Sequence, residues 1–323
     1  MKMWKLAGIV AAILIALAGV SLALAPLVYV ELARLADSLP GWPPSPISVK
    51  PPAGSSPGTV VDGYWWVQRI ATDTYAIGEP QGQLDNFEYL LVGKTRALLI
   101  DAGATGRDIH PALATLTNLP VTVIPTHLHY DHTNGLGNFT SIALIDVPET
   151  RSRVREGVVH LGRYQYLGAA GQDPPLFRVT EWVGPDGYID LGERRVQVLW
   201  TPGHTSSSIS VHDPAAKMLF TGDLIYTTTL YAFLPGSSLS AYVSTADRLL
   251  ATVPADTVIY GAHCCRNDGP PGAPWLDMND LRDVRRAVEN IRAGRAPSRG
   301  FIIRRFPVNA QMTIVTLYPF ANR

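Results

Sequence analysis

Short alternating or wholly apolar runs follow one another along most of the chain, and this period-two spacing predicts a β-rich domain. The first group is Tyr64–Ile70, Thr74–Ile77, Phe87–Val92 and Ala97–Ile100, each bounded by Gly, Asp or Asn. A helical period over Ile109–Leu116 leads to a strand at Val121–Pro125, and a helical and irregular stretch covers Pro148–Gln172. Strands return at Gly187–Asp190, Val196–Trp200, Ser208–His212 and Met218–Phe220. Helix Leu239–Thr252 precedes a strand at Thr257–Tyr260. Helix Trp275–Ala293 follows, and strands at Phe301–Arg305 and Met312–Leu317 close the chain. Two sheets flanked by helices make an α+β arrangement, a four-layer αββα sandwich.

The start of the chain has another pattern. Lys2 and Lys5 precede an uncharged run from Leu6 to Val30. Such a run, as a helix of roughly 38 Å, would cross a bilayer core of about 30 Å. It is long for the apolar part of a cleaved signal, about 7–15 residues. A small-residue pattern at Ala23-Leu24-Ala25 leaves cleavage and secretion as the alternative, although Pro26 follows it directly. Both readings export the remainder and leave the lysines in the cytoplasm. Residues 1–39 are thus read as a transmembrane signal anchor with its flank. Residues 40–59, with prolines at 40, 43, 44, 46, 51, 52 and 57, are read as an extended linker. Residues 60–323 form the folded domain.

Composition narrows the partners. Lys plus Arg and Asp plus Glu both total 27, so the neutral chain offers no electrostatic reason to bind nucleic acid. Its 28 glycines and 26 prolines suit a loop-rich enzyme better than a helical bundle. Only Cys264 and Cys265 occur, side by side, which excludes a disulfide framework and a four-cysteine zinc site and leaves Cys264 expected as a buried thiol.

The chemistry concentrates in Thr126-His127-Leu128-His129-Tyr130-Asp131-His132. In extended chain, i and i+2 face the same way, so His127 and His129 can grip one cation. Asp131 and His132 follow in a turn and can address a second. Three later segments repeat one device, an apolar strand, a small residue and a potential ligand: Thr201-Pro202-Gly203-His204, Phe220-Thr221-Gly222-Asp223 and Tyr260-Gly261-Ala262-His263. Imidazole and carboxylate are donors that zinc accepts.

With Leu99-Ile100-Asp101-Ala102-Gly103 ahead of the histidine cluster, this order resembles the metallo-β-lactamase fold superfamily from Val60 to about Ala293. The resemblance implies two Zn2+ ions, with Fe2+ or Mn2+ as possible substitutes. His127, His129 and His204 would bind the first, Asp131, His132 and His263 the second, and Asp223 would bridge them. Asp101 would orient the ligand loop from behind. Two divalent cations, two ligand aspartates and a bridging hydroxide leave a net positive site, which lowers the pKa of bound water toward about 7. Asp131 would also orient the nucleophile or carry a proton.

The resemblance also narrows the reaction. True β-lactamases of this fold lack an aspartate matching Asp223, whereas hydrolases of thioesters, lactones and phosphodiesters carry it. The pattern is closest to the acyl-CoA thioesterase, acyl-homoserine lactonase and glyoxalase II branches. Tyr226 stands where lactonases carry a substrate-contacting tyrosine, and Leu230, Tyr231, Phe233 and Leu234 offer an apolar wall for an acyl chain. The expectation is hydrolysis of a carboxylic ester, lactone or thioester of a small acyl substrate, with export disfavouring thioesters. A β-lactamase, or a phosphodiesterase or nuclease of the same fold, is the alternative.

Overall fold

The computed structural model describes residues 52, 54–79, 85–162, 165–166, 173–264, 272–301 and 303–317. Two large sheets dominate it. The first runs in the order Thr59–Val61, Trp65–Ala71, Thr74–Glu79, Asp85–Val92, Ala97–Ile100 and Val121–Ile124, antiparallel until its last pair, which is parallel. The second runs Gly187–Asp190, Arg195–Trp200, Ile209–Asp213, Met218–Gly222, Val258–Gly261 and Trp275–Leu276. The short strand His263–Cys264 leaves the second sheet and pairs with Asp85–Val92 of the first.

Side-chain alternation explains the layering. Ala97–Ile100 is wholly buried: Leu98 and Ile100 enter the core between the sheets, while Ala97 and Leu99 face the opposite way with Ala112 and Leu113 of helix His110–Ala114. In the second sheet Met218 and Phe220 join the same central core, and Leu219 turns outward to helices Leu239–Thr252 and Met278–Arg292. Leu239, Tyr242, Val243, Ala246 and Leu249 are the buried stripe of the first of these helices, at helical spacing. Ser238 caps it by accepting from Ala241 N at 3.2 Å.

Several expectations are corrected. Among the described residues no helix is long and apolar enough to cross a membrane. The transmembrane helix expected over Leu6–Val30 lies outside the described residues; the described fold is mixed α/β, and it does not support the expected single-pass topology. The helix expected from Trp275 begins at Met278. Trp275–Leu276 is instead an edge strand, and Asp277 opens the helix by accepting from Asn279 N and Asp280 N. Among the described residues of Pro148–Gln172 the helix is Pro148–Ser152, followed by the paired strands Val154–Arg155 and Val158–Val159. The segment Thr228–Tyr231 is a strand, parallel to Met312–Leu317, in a small sheet completed by Ile303–Pro307. Partners so far away in sequence leave no local signal.

Arg194 ties distant turns together. Its guanidinium donates to Asp213 Oδ2 at 2.8 Å, to the carbonyls of Asp73 and Val92 at 2.7 and 3.0 Å, and to Thr74 Oγ1 at 2.7 Å. Arg194→Ala would leave the buried Asp213 carboxylate without its counter-charge, a loss of about 3–5 kcal/mol. Urea unfolding of the two proteins checks it; equal midpoints would remove Arg194 from the account.

Candidate metal centre

All seven proposed ligands lie at the ends of strands or in the turns that follow, where the two sheets meet. Val121–Ile124 delivers Thr126 and then His127 and His129. The next turn, Tyr130–Thr133, carries Asp131 and His132. Arg195–Trp200, Met218–Gly222 and Val258–Gly261 lead to His204, Asp223 and His263. The approach is too close for larger residues at two of these exits. A Cβ at Gly222 (φ 52°) would lie 2.5 Å from Thr126 Oγ1, and one at Gly261 would lie 2.4 Å from Tyr226 Cβ.

The donor atoms fall into three overlapping groups: His127, His129 and His204; Asp131, His132 and His263; and His127, His132 and Asp223. Within each, the donors lie within 4.8 Å of one another. His129 Nδ1 is 2.9 Å from His127 Nε2 and 3.1 Å from His204 Nε2. Asp223 faces both sides: Oδ1 is 3.4 Å from His132 Nε2 and 3.1 Å from His263 Nε2, while Oδ2 is 3.6 Å from His204 Nε2. Asp131 places Oδ1 3.7 Å from His132 Nε2 and Oδ2 3.5 Å from His263 Nε2.

These spacings fit metal cations. Donors held at roughly 2.0–2.2 Å around a tetrahedral ion lie about 3.3–3.6 Å apart. His132 Nε2 and Asp223 Oδ1 are buried without a hydrogen-bond partner among the described residues, the condition of an atom whose partner is an ion. Burial, reinforced by neighbouring imidazoles, holds His127 and His129 well below the usual histidine pKa. Burial also lowers His204. All three stay neutral with lone pairs to give. Burial alone would raise Asp223, but His263 and His132 outweigh it and keep the carboxylate ionised. Burial opposes protonation of His132, yet Asp101, Asp131 and Asp223 together raise it well above the ordinary range. The centre is therefore built for positive charge.

The supporting groups fix the rings. His132 Nδ1 donates to Asp101 Oδ2 at 2.9 Å, and Asp101 also accepts from Thr126 N at 2.6 Å and from the Thr126 hydroxyl. Asp101 holds φ 65°, a left-handed conformation that turns its carboxylate under the ligand loop. His204 Nδ1 donates to the Tyr231 carbonyl at 3.0 Å, which aims Nε2 at the centre.

Some expected contacts are placed elsewhere. Tyr226 is fully buried, its hydroxyl donates to Thr229 O at 2.5 Å, and its ring stands edge-on to His263 at 5.1 Å. That geometry sets the ring against the proposed ligand His263 and commits the hydroxyl to a backbone carbonyl. Leu230, Tyr231 and Phe233 are packed in the core, the last two with Ile303, Val315 and Leu317, so they are not an open wall. Cys264 is buried and disulfide-bonded, which corrects the expected thiol. Glu79, Asn86 and Glu88 escaped sequence reasoning, although two carboxylates and an amide in buried strands were a signal. Burial, with Glu79 and Asp101 beside it, raises Glu88 well above the usual carboxylate range.

A buried His–Asp cluster at the joined ends of two packed sheets is the architecture of a metallohydrolase. The family model described as Metallo-beta-lactamase superfamily matches residues 87–263, and the chain belongs to that superfamily. It is 31% identical over 215 residues to the acyl-coenzyme A thioesterase MBLAC2 of Bos taurus, covering 59% of this chain and 74% of that protein. To a hydroxyacylglutathione hydrolase of Mesorhizobium japonicum it is 28% identical over 144 residues, 45% of this chain and 48% of the relative. The structure resembles a metallo-beta-lactamase from Pontibacter korlensis with TM-score 0.52 and 18% identity, over 70% of this chain and 99% of that one, a likeness of fold.

Asp101→Asn keeps the shape and removes the charge that holds His132. Metal affinity should fall about 10–100-fold while the circular dichroism spectrum is retained. Competition with a chromophoric chelator reads it, and an unchanged affinity would separate Asp101 from the site.

Proposed function

We propose that the chain is a binuclear metal-dependent hydrolase that cleaves acyl thioesters, with carboxylic esters and lactones open to the same chemistry. The observation that carries the reading is Asp223, with one oxygen toward His132 and His263 and the other toward His204. His127, His129 and His204 would hold one cation, Asp131, His132 and His263 the other, and Asp223 both. Zinc suits this imidazole-rich set. When bound, two such cations supply Lewis acidity and a water of lowered pKa at neutral pH.

The chain's own residues do the rest. The Asp131 side chain keeps 23% exposure against 7% for Asp223, so its carboxylate is the more accessible of the two and would take the proton from the attacking water. A new C–O bond then forms at the acyl carbon, the C–S bond breaks, and the thiol leaves with a proton. A cleft of about 150 Å³ opens beside His129, lined among others by Leu128, Glu149, Arg153, Gln165 and Thr205. Its mixed lining suits a polar carrier arm better than a long acyl chain. Arg151, by contrast, is spent on Asp146 and the Trp182 ring.

One consideration moves the reading from lactones toward thioesters. The relatives named above act, by name, on acyl groups joined to coenzyme A or glutathione, both thiol carriers.

The test is a substrate panel of acyl-thioesters, p-nitrophenyl esters, lactones, nitrocefin and bis-p-nitrophenyl phosphate, beside metal analysis. Thioesters should turn over fastest, and chelation or His129→Ala should abolish both metal content and turnover. Turnover of the phosphodiester alone would overturn the reading.

A further inference from the structure

One amide touches both halves of the second donor group. Asn86, only 3% exposed, donates from Nδ2 to the Asp131 carbonyl at 2.7 Å and to Glu88 Oε1 at 3.0 Å. Its backbone stands opposite His263 in the pairing of Asp85–Val92 with His263–Cys264, and the next N–H, Phe87, donates to Ala262 O at 2.8 Å. The turn that carries Asp131 and His132 follows Val121–Ile124 of the first sheet, whereas the strand that carries His263 arrives from Val258–Gly261 of the second sheet and pairs onto the first. Asn86 is bonded to the first through its side chain and stands against the second through its backbone.

The first donor group is tied differently. His127 follows Thr126, which is anchored on Asp101, and His204 is held by the Tyr231 carbonyl. Neither tie passes through Asn86. Glu88 is fully buried and supplies the acceptor that aims the amide; a hydrophobic residue there would leave one Nδ2 hydrogen unsatisfied and the amide free to rotate.

We propose that Asn86, seated on Glu88, is a positioning residue for the second cation alone, setting the spacing between the Asp131–His132 turn and His263. The inference rests on the two-cation reading above. Asn86 does not touch substrate. Its effect is carried by the Asp131 backbone, and so it appears in the affinity of one cation and not the other. A plain fold-supporting amide would weaken both binding steps together.

The experiment is a cobalt(II) titration of the full chain after metal removal, followed by visible absorbance. The wild-type chain is expected to take two equivalents. Asn86→Ala should bind the first as the wild type does and the second about 10–100-fold more weakly. Glu88→Gln, whose amide oxygen still accepts from Asn86, should keep both steps. Asn86→Ser, too short to reach the Asp131 carbonyl, carries the same test if the alanine variant does not fold. Equal second-step affinity in the Asn86 variants, or an equal loss in both steps, overturns the inference. A wild-type chain that takes only one cobalt overturns the two-cation reading itself, a result distinct from either.

Discussion

Lone pairs brought together out of water govern this molecule. His129 brings its Nδ1 to about 3 Å from a ring nitrogen of His127 and of His204 in a largely buried space, and Asp131, His132, His263 and Asp223 crowd beside them. Groups so desolvated cost free energy unless each finds a partner. Hydrogen bonds among the rings cannot satisfy them all, because His204 has already committed its Nδ1 proton to Tyr231 O. Cations at the common centres satisfy the whole set. The burial of the cluster, the orphaned atoms and the low pKa of His127 and His129 all express that one demand.

The fold answers it by bringing two sheets into very close contact at their ligand-bearing ends. Thr126 O accepts from Ile209 N at 2.8 Å, Gly222 O accepts from Ala262 N at 3.1 Å, and Ala262 O accepts from Phe87 N. The first and last of these bonds stitch one half of the sandwich to the other, and the middle one ties two strand ends of the second sheet, beside Asp223 and His263. A side chain at Gly222 would force Thr126 and the halves apart, and one at Gly261 would displace Tyr226. The motif Asp101-Ala102-Gly103 belongs to the same seam: Ala102 N donates to His132 O and Asn134 N to Gly103 O.

An element outside the family match also reaches the centre. The family model ends at residue 263, yet Met312–Leu317 pairs with Thr228–Tyr231, and the Tyr231 carbonyl orients His204. The C-terminal strands thus act on the site through the loop they cover, which is why Tyr231 and Phe233 are packed away instead of lining a cleft. The opening beside His129 is correspondingly small and mixed in character. Asp131 stands at the more exposed side of an otherwise buried set.

The sequence alone picked out the candidate ligands and the strands that carry them, because both signals are local. Ala97–Ile100 and Met312–Leu317 read directly from apolar runs, and strand, small residue, ligand is a pattern written within a few positions. Only the tertiary structure decided what lies across the seam. Tyr226 has the same sequence context whether its hydroxyl meets a substrate or Thr229 O, and nothing near Leu230 or Phe233 announces that strands from residues 303–317 will cover them. Asn86 gains its place only when His263 and Asp131 arrive beside it from distant parts of the chain. An apolar run at residues 6–30 satisfies the length rule for a membrane span, but length and hydropathy give a capacity and not a topology. Periodicity and motif spacing are properties of neighbours in the chain; hydrogen-bond partners and enclosure depend on neighbours in space, which the sequence order does not encode locally.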